Sequence, residues 1–282
     1  MLKMLKQARA ALGMLNPEEV RKRVERPIHV GLVAANESGY CEMEDFLVPT
    51  TLGRDDRIAR LGQVHRAGDA DVPAKVDIVL YQQGLDVPKS AYEFRRNDPD
   101  STMAEILSNR AEDALALARH FPPLRKPVTD RIIMSVAREN ALFAIATALP
   151  NILPSMVALP WAVGEFASDT AFLTANQIRM AFQIAAACGH DIGFSNQKGA
   201  VVSIVASAFG WRALARELAG KIPLGEGLIP KGAIAFAGTY VVGKGLQRFA
   251  DGGEFTRQES ESAYREALDR GKDIAQSLQR RA

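Results

Sequence analysis

In this 282-residue chain the residues whose types and spacing can do chemistry are gathered in HVGLVAANESGYCEMEDFL, His29 to Leu47. An apolar run passes through a glycine-containing turn into a helical pattern, the order of parts in a loop that cradles phosphate. Such a loop has the form G-x-x-x-x-G-K-[ST]. Its glycines free backbone N–H groups for the phosphates, its lysine reaches the outer phosphates and its hydroxyl holds magnesium. With the second glycine set on Gly39, Ala34 stands where the first glycine belongs, Tyr40 where the lysine belongs and Cys41 where the hydroxyl belongs. Ser38 and Gly39 can still form a tight turn. The following Glu42, Glu44 and Asp45 suit a helix dipole but repel a phosphate. Ala34, Ser38, Gly39, Tyr40 and Cys41 are therefore read as the remnant of a phosphate loop, without nucleotide hydrolysis, and the chain is expected not to be an enzyme.

Other chemistry finds less support. The string nearest a guanine-reading N-K-x-D is RRNDPD, Arg95 to Asp100, which reads as a turn with capping residues. His29, His65, His120 and His190 have no zinc-ligand spacing, so no metal is expected. Cys188, His190 and Asp191 read as a helix end and loop, and no G-x-S-x-G elbow is present. Cys41 and Cys188 match no disulfide or metal framework, which fits a reducing cytoplasm. No cofactor is implied.

The elements that must position these residues divide into two halves. Residues 27–100 carry strand signals: PIHVGLVAA and VDIVLYQQG are nearly continuous apolar runs of the kind buried on both faces, and SAYEFRR is a shorter third. The intervening TTLGRDDRIARLGQVHRAGDADVPAK reads as part helix and part loop. This is an α/β unit with a small parallel sheet. Residues 101–255 read as helical. Ser101 or Thr102 caps a helix that runs to Pro122 and Pro123, Thr129 opens the next, and PNILPSMVALPW is an apolar loop. A further helix runs from Trp161 to Gly189, and residues 256–282 form a charged C-terminal helix. Residues 1–26 read as an amphipathic helix. Leu2, Leu5 and Leu12 recur on one side and Lys3, Lys6 and Arg9 lie on another, without the pattern of a secretory signal. That helix docks on its own protein or anchors on a membrane surface. The fold class is thus α+β in two parts, a small parallel-sheet unit followed by an all-α bundle.

A composition of 47% hydrophobic and 24% charged residues is that of a globular protein, and a net charge of +2 gives no argument for nucleic acid. The uncharged run from Ala141 to Gly164 is long enough to span a bilayer, but its three prolines argue against a spanning helix. On the Trp161–Gly189 helix, Glu165, Asp169, Asn176, Arg179 and Gln183 share one stripe. It is a solvated face, or, if buried, Arg179 pairs with Asp169 or Glu165. Ala235, Thr239 and Gly243 form a small-residue ridge for close approach of another helix.

The proline-bounded loop, then LTANQIRMAFQIAAACG, then a glycine-rich helical pair, resembles the helical domain of unknown function of bacterial YcjF-like proteins, which also follows some Era-type GTPase domains. The resemblance covers about Thr129 to Phe249, and LTANQIRM, Leu173 to Met180, is its most specific element. It implies membrane association without an established activity, and makes the N-terminal half a shrunken, nucleotide-independent relative of a GTPase domain. The resulting expectation is a non-enzymatic module, cytoplasmic or peripheral at the inner face of the membrane. Its partners would be a protein, a second copy or a membrane surface, but no nucleic acid. The alternatives are an unconventional nucleotide-binding switch, or a lipid or small-molecule binder using the apolar region from Pro150 to Trp161.

Overall fold

The computed structural model describes residues 17–70, 73, 75–147, 169–191 and 228–279. It divides into two compact units. One is formed by residues 18–129 with 186–190, the other by residues 1–17, 130–185 and 191–282. The N-terminal sixteen residues, the apolar loop from Pro150 and residues 192–227 lie outside the described residues.

The first unit is built on four parallel strands: β1 (Val30–Val33), β2 (Val64–Arg66), β3 (Ile78–Gln82) and β4 (Tyr92–Phe94). Their order is β2-β1-β3-β4, with Val30 beside both Val64 and Ile78 and Leu80 beside Tyr92. The two long apolar runs of the sequence are the two central strands. Val30, Leu32, Ile78 and Leu80 alternate inward, as a period of two requires, and Met43, Leu117 and Phe121 of the same unit are likewise buried. Around the sheet run α1 (Pro17–Val24), α2 (Glu37–Leu47), α3 (Arg54–Leu61), α4 (Pro99–Asn109) and α5 (Ala114–His120).

Three local readings are corrected. The segment read as helix and loop contains α3 but also β2, whose three half-buried residues carry no apolar alternation. Helix α4 is capped by Asp98, which accepts from the Ser101 N–H, with Pro99 in the first turn; Ser101 and Thr102 lie inside the helix. The helical pattern expected to run on to Pro122 breaks at Arg110, and a single 3₁₀ turn, Ala111–Asp113, precedes α5. That turn sets the nearly buried Asp113 carboxylate against two guanidiniums, Arg26 at 2.7 Å and Arg110 at 2.9 Å. An uninterrupted helix would not present it so.

Among its described residues, the second unit's regular structure is all helical. It takes α6 (Arg125–Ala146) from Asp130 onward, α7 (Asp169–Ala187) up to Ala185, α8 (Leu228–Ala250) and α9 (Arg257–Gln279). Helix α6 begins at Arg125, directly after the Pro122–Leu124 turn. Thr129, the expected start, sits one turn inside, its hydroxyl donating to the Arg125 carbonyl at 2.8 Å. Helices α8 and α9 cross closely: a Cβ placed on Gly271 would lie 2.9 Å from the Ala233 backbone. Ala137, Ala141, Phe236, Ala237, Val241, Tyr264 and Leu268 fill the core between α6, α8 and α9. Phe143 and Phe172 stack with ring centroids 3.8 Å apart. Burial pushes the Tyr264 phenol up to about 12. Among the described residues, no helix is long and apolar enough to cross a membrane.

Candidate functional site

In an open parallel sheet, ligands are received where the strand order reverses, outside the carboxyl ends of the strands flanking that point. Here the reversal lies between β1 and β3, because the chain goes from β1 to β2 on one side and returns to β3 on the other. The loop after β1 is only Ala34, Ala35 and Asn36 before α2 begins at Glu37. That is too short for a wide phosphate cradle.

One N–H in the first turn of α2 and one in the loop before it are taken by the chain's own side chains. The Asn36 carbonyl Oδ1 caps the helix by accepting from Gly39 N at 2.9 Å. Gln82, the last residue of β3, accepts from Ala35 N at 2.9 Å through its Oε1. The Gln82 amide lies directly over Gly39, where an added Cβ would sit 2.6 Å from its Cδ. Gly39 is thus a glycine for the approach of Gln82. It is buried inside α2 rather than in a loop. Ser38 and Cys41 are exposed on the same helix and Ala34 is half-buried in the turn.

Tyr40 is involved in a different arrangement. The Arg66 guanidinium lies 5.3 Å from its ring centre and forms a forked pair with Glu44 at 2.6 and 3.0 Å. Its remaining edge reaches Glu37 at 2.7 Å. The hydrogen bonds from Glu44 and Glu37 hold the Arg66 guanidinium even more firmly protonated than an ordinary arginine. The residues in the lysine and magnesium-ligand positions therefore belong to a helix fastened to β2 by ion pairs. Gln82 and Arg66 escaped sequence reasoning. Their partial signals were a polar pair ending an apolar run, in VLYQQG, and a lone basic residue after Val64 and His65.

At the opposite end of the strands is a histidine pair. His29 Nδ1 and His65 Nε2 are 3.0 Å apart, so one ring donates and the other accepts. Burial, and then the neighbouring His29, lower the His65 pKa from its ordinary value. His120 Nδ1 lies 3.0 Å from the Gln63 amide and its Nε2 3.2 Å from the Arg26 carbonyl; burial lowers its pKa also. Among the described residues, no group of three His, Cys, Asp or Glu side chains is placed to hold a metal ion.

In the helical unit, the polar stripe and the ridge meet. Asn176 on α7 donates to Asn140 on α6 at 2.8 Å, and Asn140 donates to Thr239 on α8 at 2.8 Å. All three are almost wholly buried. The ladder leaves the Asn176 Oδ1 buried and unpartnered among the described residues. Arg179 is paired with Glu139 of α6, a partner on a helix that the stripe alone did not indicate, and Gln183 is half-buried. Glu165 and the side chain of Asp169 lie outside the described residues. Thr239 and Gly243 face inward: a Cβ on Gly243 would meet Ile133 of α6 at 2.7 Å and Met180 of α7 at 3.1 Å. Ala235 is half-buried. Comparison of the chain with models of protein families, with curated proteins and with solved structures gives no match.

Proposed function

We propose that this chain is a non-catalytic interaction module, a degenerate GTPase-like α/β unit joined to a YcjF-like helical domain, which docks on a protein or membrane surface at the cytoplasmic face. One observation carries the reading. Where a phosphate would be held, Asn36 takes the Gly39 N–H, Gln82 takes the Ala35 N–H in the preceding loop and lies over Gly39, and the two signature positions after Gly39 hold Tyr40 and Cys41. A parallel sheet with its first strand inside, followed by a turn and a helix, retains the frame of a nucleotide-binding unit. The phosphate ligands are what is missing. The lysines and arginines among residues 1–26 supply the attraction to an anionic surface.

Flotation of the purified, detergent-free chain with anionic and neutral liposomes tests the docking half, and titration with a fluorescent GTP or ATP analogue tests the other. Salt-sensitive binding to anionic liposomes and no nucleotide signal at high micromolar protein are the expected results. Indifference to both liposomes turns the proposal toward protein partners. Saturable nucleotide binding overturns it in favour of an unconventional nucleotide switch, the reading that the strand reversal between β1 and β3 favours. In that case Gln82 must swing away from Gly39.

A further inference from the structure

Arg60, Arg119 and Arg125 form a cluster in the first unit. Arg60, at the end of α3, donates through Nη1 to the Arg119 and His120 carbonyls at 2.7 and 2.6 Å. Arg119 donates through Nη1 to the His190 carbonyl at 3.0 Å and, more loosely, to that of Ala186 at 3.4 Å. Arg125 donates through Nε to the Ala118 carbonyl at 3.4 Å, and its Nη2 lies 3.4 Å from where a Cβ on Gly189 would stand. Carbonyls in the last turn of α5, at the end of α7 and just after it thereby hold the three side chains, and Arg119 and Arg125 lie close enough for their charges to act on Arg60. Helix C-termini favour cations by about 0.3–1 kcal/mol each, too little to neutralise three of them.

What distinguishes the cluster is that, among the described residues, no carboxylate is paired with it. Elsewhere in this unit Arg26, Arg57, Arg66, Arg95 and Arg110 each pair with an Asp or Glu within 3.1 Å. Among the described residues, Arg60, Arg119 and Arg125 form no ion pair. Asp56, one turn before Arg60, acts on it without reaching it. Burial first, then the charges of Arg125 and Arg119, press the Arg60 guanidinium below its ordinary value. Its Nε is buried and unpartnered. All three side chains are only half-buried, so solvent anions reach them.

We propose that Arg60, Arg119 and Arg125 form a binding site for a phosphate group, whose oxygens take the guanidinium N–H donors that the helix-end carbonyls leave over. Guanidinium forks match phosphate oxygens in geometry as well as charge, and three of them suit a dianion. The site stands apart from the closed start of α2 and does not depend on the function proposed above. Its ligand is free phosphate or a phosphate-bearing lipid headgroup.

The experiment is calorimetric titration of the full chain with inorganic phosphate at constant ionic strength, beside flotation on phosphatidylcholine vesicles with and without phosphatidic acid. Saturable binding is expected, weakened about tenfold in Arg125→Gln through loss of one charge-assisted fork. Arg265→Gln, at an exposed position of α9, leaves it unchanged. Arg60→Lys keeps the charge but loses the fork, and so weakens binding while preserving the fold. Binding to phosphatidic acid vesicles alone, lost in the same variants, identifies the source as lipid. Absence of saturable binding by the unsubstituted chain in both arms overturns the proposal, and so does binding that Arg60→Lys and Arg125→Gln leave intact.

Discussion

At the scale of single residues, Gly39 and Gln82 explain each other. A glycine inside a helix costs about 1 kcal/mol against alanine, so Gly39→Ala would stabilise α2 if nothing stood over it. Gln82 does, and its Oε1 is tied to Ala35 N. Gly39→Ala is therefore expected to destabilise the chain by about 1–2 kcal/mol, as the new methyl displaces that amide and its hydrogen bond. In a Gln82→Ala background the same substitution should be neutral or stabilising, and urea unfolding of the four chains measures the coupling. The histidines give a second expectation. His65 and His120 both have pKa values lowered by the fold, so the folded state favours their neutral forms. Their contribution is fully present above the ordinary imidazole value of about 6.5 and is lost as pH falls through the lower folded values. The urea midpoint should thus drop between about pH 7.5 and about pH 5, and His65→Gln should flatten part of that drop. Gly39 was legible in the sequence because a glycine in a turn-to-helix pattern attracts attention. Its purpose was not, because Gln82 reaches it only after β1 and β3 have paired.

At the scale of elements, close approach decides the helical unit. Gly243 lies where α8 meets Ile133 and Met180. Gly243→Leu should lower stability by about 1–3 kcal/mol or more, since a large side chain cannot enter without shifting two helices. Thermal unfolding followed by circular dichroism measures the loss, and an unchanged melting temperature would remove the close crossing. The small-residue spacing showed that some helix approaches this face. It did not show which, and the occupants are this chain's own α6 and α7. The Asn140–Asn176–Thr239 ladder was half visible. Asn176 stood out on a polar stripe, but its partners come from helices far along the chain. Strands β1 and β3 were plain because unbroken apolar runs leave no other reading, whereas the three residues of β2 are held by pairing with β1 rather than by any pattern of their own.

At the scale of the whole molecule, most of the helices and the longer strands among the described residues were readable, because apolar periodicity is a local property. The grouping of those elements was not local. The chain leaves the sheet-bearing unit at Thr129 and returns to it for Ala186–His190, and a short polar stretch, CGHD, gives no sign of that return. Gly189, at φ 84°, ends α7 in a left-handed turn, and the carbonyls of Ala186 and His190 receive Arg119. This return has a consequence in time. A protein emerging from the ribosome folds its N-terminal parts first, and here the sheet can assemble early. The unit that contains it stays unfinished until His190 has been made, and α6 and much of α7 must be synthesised before it closes. Until then Arg119 waits for its helix-end carbonyls, so the last step in maturing the N-terminal unit belongs to a segment encoded well downstream of it.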